Sequence, residues 1–433
     1  MAEKLQAPRG TFDVLPDSAA LRALLIDQIA APLFSQSGYG RIDTPIFEDT
    51  ALFARGVGES TDIVSKEMYT FTDQGDRSQT LRPEGTAPVC RAYVEHGMHK
   101  LPQPVKLWYE GPFFRQEAPQ AGRYRQFFQI GAEALGSDDP ALDAESIVLA
   151  SRLLEKAGVT GARLRIGSLG SGPERAAYSD QLKSYLRQHE SELSPDVAAR
   201  IDLNPLRAFD AKHEGTQVVM ANAPRLLESI STDDRAHFDE VLALLDAAGV
   251  EYEIDTTLVR GLDYYTRTLF EFTSDKLGAQ SGVGGGGRYD GLVEMLGGPA
   301  TPGIGWAAGI ERILAAAEAE APQPENPAAY IVLDAGADKT VAFALLLKLR
   351  EVHGLPAQIE LAGRSMKGQL KAASRVGAKS LVIFGGERGQ YDAAVKNMDT
   401  GEQIELDGLT AGDYYDRIAE RVLAGAQRHG GIA

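Results

Sequence analysis

The stretch EAEAPQPENPAA, residues 318–329, constrains the fold more than any other feature, because Pro322, Pro324 and Pro327 stand close together in an acidic, alanine-rich run. Proline donates no backbone hydrogen bond and disfavours helix at the residue before it, so neither a helix nor a central strand passes through such a run. With no aromatic or β-branched residue to bury, the stretch reads as a linker. The chain is therefore expected to fold as separate bodies, residues 1–321 and 330–433, joined at 322–329. Charge divides at the same place. From Ile331 to Ala433 there are 13 Lys and Arg against 13 Asp and Glu, whereas the preceding part carries 31 against 48, the whole of the formal charge of −17. That balance excludes a uniformly basic nucleic-acid coat, and any polyanion must meet a local basic patch.

A chain of 433 residues is long enough for two to four domains. Its single cysteine, Cys90, excludes an internal disulfide and a thiolate zinc cage, which is the usage of a reduced, cytoplasmic protein. No signal-peptide core follows Met1, and no apolar run approaches the ~20 residues of a membrane span, so no membrane association is expected.

The tail alternates a strand at Tyr330–Leu333, a helix around 338–352, a strand at Ala357–Leu361, a helix around 365–376 and a strand at Ser380–Phe384. That order predicts a small, mostly parallel α/β sheet. The first 170 residues predict a helix from about 18 to 35 with Asp17 as N-cap, and another from about 140 to 157 ending at Gly158. Strands are expected at 105–114, 125–135, 251–257 and 264–272. Loops too short for crossover helices make them antiparallel, and the fold class is α+β. Residues 170–250, polar and interrupted by Pro173, Pro195, Pro205 and Pro224, read as a helical insertion that divides the first domain into 1–169 and 251–321.

In the run 111–133, Arg115, Arg123 and Arg125 ride on one hairpin, where planar guanidiniums can converge on phosphate oxygens. Glu117, Gln129 and Glu133 add acceptors for a cationic or hydroxylated group. The sequence RPEGT at 82–86, RGLDYYT at 260–266 and GIGWAAGIERI at 303–313 each interrupt an apolar pattern with polar residues. Gly284 to Gly287 lack the context of a dinucleotide fingerprint and more simply allow close approach of backbone to a ligand or another strand. No metal-ligand set is read from the sequence.

Together these segments resemble the bacterial histidyl-tRNA synthetases, a family of class II aminoacyl-tRNA synthetases, over essentially the whole chain. GYGRIDTPIFED at 38–49 resembles motif 1, FRQEAPQAGRYRQF at 114–127 motif 2, and GIGWAAGIERI motif 3. LVRGLDYYTRTLFEF at 258–272 and GGGGRYDGL at 284–292 resemble the signatures peculiar to the histidine enzymes. Ala118 and Phe128 depart from the family's usual arginine and histidine.

The resemblance implies an antiparallel catalytic sheet of six to seven strands with a helical insertion, followed by an α/β anticodon-binding domain. It implies ATP as substrate with Mg²⁺, L-histidine, tRNA(His) and a homodimer. In the family's pattern Arg115 and Arg260 are catalytic at the carboxylate and α-phosphate. Glu117, Arg123 and Arg312 join Arg115 in holding ATP. Glu84, Gly85, Thr86, Arg115, Gln129, Glu133, Arg260, Tyr264 and Tyr265 hold histidine, with Glu133 and Tyr264 on the ring. In the tail, Arg364, Lys367, Lys371, Arg375 and Lys379 recur at spacings of three, four, four and four, a basic stripe for tRNA if the helix and its flanks share one line. Motif 1 implies the dimer contact, to which an apolar face of Leu21, Leu24, Leu25 and Ile29 would add. The alternative is a non-catalytic, histidine-sensing regulatory subunit of ATP phosphoribosyltransferase, which would lack the tail and degrade Arg115, Arg260 and Arg312.

Overall fold

Alternation along the hairpin strands decides what each face of the central sheet becomes. A computed structural model describes residues 4–58, 61–117, 122–278, 281–322, 325–384, 393–406 and 413–427. They fall into two compact units, Met1–Pro322 and Gln323–Ala433. The strands of the large sheet are β1 Gly40–Arg41, β2 Val105–Phe114, β3 Gln126–Leu135, β4 Arg163–Ser168, β5 Glu253–Ile254, β6 Thr266–Thr273, β7 Gly282–Arg288 and β8 Gly303–Gly309. Their order is β1-β2-β3-β8-β7-β6-β4-β5. The inner six pair antiparallel, while the two-residue edge strands β1 and β5 pair parallel.

Because successive side chains point to opposite faces, Trp108, Ile130, Ala132, Ile304, Trp306 and Phe270 fall on one face and are buried there. Helices Pro140–Lys156, Thr232–Ala247 and Ile310–Ala317 cover that face with Ile147, Leu153, Phe238, Val241, Leu245 and Ile313. The opposite face is lined by glycine at its centre. In register across it stand Gly131, Ala307 and Gly285 in one row, and Glu133, Gly305 and Gly287 in the next. The glycine run is thus a strand in the middle of the sheet. An added Cβ on Gly285 would press on the Phe270 carbonyl and on Arg260, and one on Gly287 on the Thr268 carbonyl and Tyr265.

Several expectations change in detail. The first helical segment begins at Pro16 with Leu15 as N-cap, and it continues through a π-helical stretch, Leu24–Ala30, to Gln36. Asp17 lies inside the first turn, where proline's fixed φ at the first helical position sets the start instead. Leu25 is buried in the unit's own core beside Trp108, so it is not available for a subunit contact. The strand expected at 251–257 is reduced to Glu253–Ile254, since Thr257 donates its N–H and its hydroxyl to the Asp255 carboxylate and turns the chain there.

In the second unit β9 Ala329–Leu333, β10 Ala357–Ile359, β11 Ser380–Phe384, β12 Ala393–Asn397 and β13 Gln403–Leu406 are ordered β10-β9-β11-β12-β13. The first three are parallel and the last two are added antiparallel, so the sheet is mixed where a mostly parallel one was expected. Helices Lys339–Glu351 and Tyr414–Gln427 contribute Leu345, Leu349, Ile418 and Val422 to one core, and Met366–Arg375 packs Ala373 on the other face. Among the described residues no helix is long and apolar enough to cross a membrane.

Candidate active site

Over the glycine-lined face, two carboxylates are buried side by side. Glu84 precedes the helix Thr86–Glu95, and its oxygens accept from the backbone N–H groups of Thr86 at 2.8 Å and Ala87 at 3.0 Å, capping the helix start. Glu133 is wholly buried on β3. Its Oε1 accepts from Thr86 Oγ1 at 2.8 Å and Tyr109 OH at 3.1 Å, and its Oε2 from Tyr289 OH at 2.6 Å. Two donors fill Oε1, which leaves one acceptor position on Oε2. Gly305 faces Glu133 because a Cβ there would occupy the carboxylate, while Gly85 and Gly131 make room for the Tyr109 ring in the same way.

Tyrosines wall this pocket. The Tyr264 and Tyr265 rings lie 4.7 Å apart, and Tyr264 also meets Tyr289 at 5.8 Å and donates to Glu84 at 3.4 Å. Burial pushes the phenols of Tyr109, Tyr264 and Tyr289 well above their ordinary range, so each remains a neutral donor. Burial likewise raises Glu84, against the pull of its two backbone donors. It raises Glu133 to about 8, with the bonds from Tyr289 and Thr86 working the other way. Gln129, on the same face of β3, has its side-chain oxygen buried with no partner among the described residues. Such an atom is costly unless a ligand completes it.

Guanidiniums border the pocket. Arg115 donates to the Pro83 carbonyl at 2.9 Å and lies over Phe127 at 5.4 Å, and its charge reaches both Glu84 and the half-buried Glu67. Arg123 pairs with Glu117 at 2.9 Å, and Arg312 donates to the Gly122 carbonyl at 3.2 Å. Burial lowers Arg312 and the neighbouring charge of Arg123 lowers it further, so the two cations are held against their mutual repulsion. Arg260 pairs with Glu271 at 2.8 Å over Gly285. Arg125 reaches the carbonyls of Glu117 and Arg9 instead.

The structure thus gathers Glu84, Gly85, Thr86, Glu133, Tyr264 and Tyr265 into one pocket, with Gln129 on its floor. Arg115, Glu117, Arg123, Arg312 and Arg260 surround it. Tyr109 and Tyr289 were missed by the sequence reading, although both donate to Glu133. Tyr289 stands inside the GGGGRYDGL signature, and Tyr109 is paired in register with Gly131, an aromatic opposite a glycine. Phe128 lies on the helix-covered face, with the Arg22 guanidinium 3.4 Å above its ring, so this departure does not touch the pocket. Ala118 lies outside the described residues.

The basic stripe of the tail is shorter than its spacing implied. Only Lys367, Lys371 and Arg375 lie on the helix, all exposed, because Gln369 and Ala373 between them are the buried positions. Gln369 exchanges hydrogen bonds of 2.8 Å with the backbone of Leu333, which fixes that orientation. Arg364 precedes the helix and pairs with Glu360 at 3.0 Å. Lys379 follows Gly377, whose φ of 69° ends the line.

Comparison with known proteins agrees with this geometry. A family model described as histidyl-tRNA synthetase matches residues 10–313. The histidine--tRNA ligase of Desulforamulus reducens is 49% identical over 405 residues, 92% of this chain and 96% of that protein. That of Halothermothrix orenii is 48% identical over 406 residues, 93% and 96% of the two chains. The apo S. aureus histidyl-tRNA synthetase structure has a TM-score of 0.75 at 36% identity and covers 96% of this chain and 100% of that one. A Bacillus halodurans structure described as an ATP phosphoribosyltransferase regulatory subunit/histidyl-tRNA synthetase shares the fold, with a TM-score of 0.64 at 22% identity, 90% of this chain and 100% of that one. The antiparallel sheet with its glycine-lined face, buried carboxylates and surrounding arginines is that of an aminoacyl-tRNA synthetase of class II. Within that class, the chain belongs to the histidyl-tRNA synthetase family.

Proposed function

We propose that the chain activates L-histidine with ATP to histidyl-adenylate and pyrophosphate, then transfers histidine to the 3′ end of tRNA(His), in the cytoplasm. The observation that carries the reading is the pairing of a tyrosine-walled carboxylate pocket with guanidiniums at its rim. A neutral imidazole offers one donor and one acceptor. Glu133, with one acceptor position left on Oε2, is placed to take the N–H of the imidazole, and Tyr264 lies beside it. Glu84 supplies the negative charge for the α-ammonium, with Thr86 and Gln129 completing its surroundings.

In the first step a carboxylate oxygen of histidine bonds to the α-phosphorus while the bond from that phosphorus to the pyrophosphate oxygen breaks. Both groups are anionic, so the chain's contribution is position and positive charge. Arg115 and Arg260 neutralise the reacting carboxylate and α-phosphate, while Arg123, Arg312 and Glu117 hold the nucleotide's distal end. In the second step a terminal ribose hydroxyl attacks the acyl carbon and AMP leaves. Among the described residues no cluster of three or more His, Cys, Asp or Glu could hold a metal unaided. Mg²⁺ is usually held by one or two carboxylates plus phosphates, which fits an ion arriving with ATP and meeting Glu117 or Glu271. Bound there, it would supply positive charge that offsets that of the phosphates.

Exchange of labelled pyrophosphate into ATP, run with each of the twenty amino acids, tests the assignment. Histidine alone should support exchange; exchange with a different amino acid, or with none, overturns it.

Residues 1–169 and 251–321 are read as the catalytic domain together with the helix Thr232–Ala247, which packs into the sheet's core, so that the insertion expected at 170–250 narrows to about 170–231 and is read as touching tRNA; 330–433 is read as the anticodon-binding domain. For the last, Lys367, Lys371 and Arg375 offer cations over ~12 Å of one helix face; Arg364, engaged by Glu360, is the weaker member. Reversing Lys367→Glu and Lys371→Glu together should raise the KM for tRNA and flatten its salt dependence, leaving histidine-dependent exchange intact. An unchanged salt slope would reduce the stripe to a solvated face. A homodimer fits the exposed Ile46, Phe47 and Phe71 beside motif 1, where the two rings already meet at 6.1 Å. A fully active species of 46.5 kDa in sedimentation at micromolar concentration excludes it.

A further inference from the structure

The segment 258–265 carries Arg260, Tyr264 and Tyr265, yet the chain forms neither strand nor helix between Ile254 and Thr266. A loop without ladder bonds needs side chains to fix its backbone, and these come from the helical insertion. Arg175, on the helix Gly172–Gln188, donates to the Tyr265 carbonyl. Asn204, at the head of the short turn Pro205–Asp210, donates through Nδ2 to Asp263 Oδ1 at 2.7 Å. Asp263 is seated on its other side as well: its N–H meets the Val57 carbonyl at 3.2 Å, and its carboxylate lies against Gly58, where φ is 102°. The same part of the insertion is tied to the segment after motif 1, since Arg200 and Arg207 pair with Asp62 at 2.7 and 3.7 Å. A cavity of about 340 Å³ lined by Asp62, Arg200, Asn204, Arg207 and Asp210 opens at this junction. Directional bonds therefore join the apolar packing of Leu258, Leu262, Tyr264 and Tyr265 in setting where the loop lies.

We infer that Asn204 and Arg175 are positioning residues for adenylate formation, and that the insertion sets the placement of Arg260 and the two tyrosines by gripping their loop at Asp263 and at the Tyr265 carbonyl. Neither residue touches the reacting atoms. Asp263 lies three residues beyond Arg260, so a loop released there lets the guanidinium drift, and a displacement of about 1 Å can cost on the order of 100-fold in rate. The inference rests on the reading that Arg260 acts at the α-phosphate.

In the full-length protein, Asn204→Ala removes the bond and Asn204→Asp sets two carboxylates face to face. Both should lower kcat for histidine-dependent ATP–pyrophosphate exchange by about 10- to 100-fold with little change in the KM for ATP. The thermal midpoint should stay near that of the parent, whereas a merely structural defect would move the midpoint and both kinetic parameters together. Combining Asn204→Asp with Asp263→Asn rebuilds the bond with its direction reversed and should recover most of the lost rate. Parent-like exchange in both single variants, or a double variant no faster than Asn204→Asp, overturns the inference. A parent-like rate for Arg260→Ala instead overturns the reading beneath it.

Discussion

Arg260→Ala is expected to lower the rate of adenylate formation by roughly two to four orders of magnitude, the scale on which preorganised charge acts at a developing anionic centre. Arg260 stands on a loop over Gly285, half-sheltered from water and paired with Glu271 at 2.8 Å. Removing the guanidinium leaves Glu271 facing a carboxylate and a phosphate that already repel one another. Histidine affinity should change far less, because the proposed contacts to the ring come from Glu133 and Tyr264. Single-turnover measurement separates the two quantities. A pre-steady-state rate close to that of the parent would remove Arg260 from the mechanism.

The largest expected effect on stability lies beneath the site. Arg288 ends the glycine strand with no exposed side-chain surface, and Asp143 reaches it from the helix behind the sheet. The guanidinium makes two bonds to Asp143, one of them at 3.2 Å from Nε, and others of 3.0 Å to Asp290 and to the Ser137 carbonyl; His237 joins Asp143 at 2.9 Å. Asp143→Ala strands a buried cation and should cost about 3–5 kcal/mol of unfolding free energy, read from denaturant titration. A loss below ~1 kcal/mol would show that Asp290 and the Ser137 carbonyl suffice.

The pH dependence of that pair has a definite sign. Burial works against ionisation of Asp143, but the bond from His237 and the charge of Arg288 outweigh it and hold the carboxyl below its ordinary range. A depressed carboxylate contributes stability that is present above its unfolded pKa and is lost as pH falls through the folded one. The advantage of the parent over Asp143→Asn should therefore shrink in acid. Because Tyr289 follows Arg288 and donates to Glu133, loosening this pair also disturbs the histidine pocket.

Local chemistry made much of this chain legible. Strand runs expected at 105–114 and 125–135 are the hairpin Val105–Phe114 and Gln126–Leu135, and the boundary at Gly158 closed the helix begun after Asp139. Polar residues breaking an apolar pattern marked the segments that hold Glu84, Thr86, Glu133, Tyr264 and Tyr265, while the role of each residue came only from the resemblance to the synthetase family. The sequence could also say that Gly284 to Gly287 invited close approach.

Which partner approaches was decided only by tertiary structure, because it depends on register between strands far apart in sequence. Gly305 stands opposite Glu133, Gly131 opposite Tyr109, and Gly285 beneath Arg260, pairings that a linear reading cannot see. The same holds for helix faces: spacing offered Leu25 to a second subunit, yet the sheet's own core had already taken it, and it drew Arg364 to Lys379 as one stripe that Gly377 cuts short. Periodicity specifies that a face exists, while what covers it is settled by competition among all the surfaces the folded chain brings together.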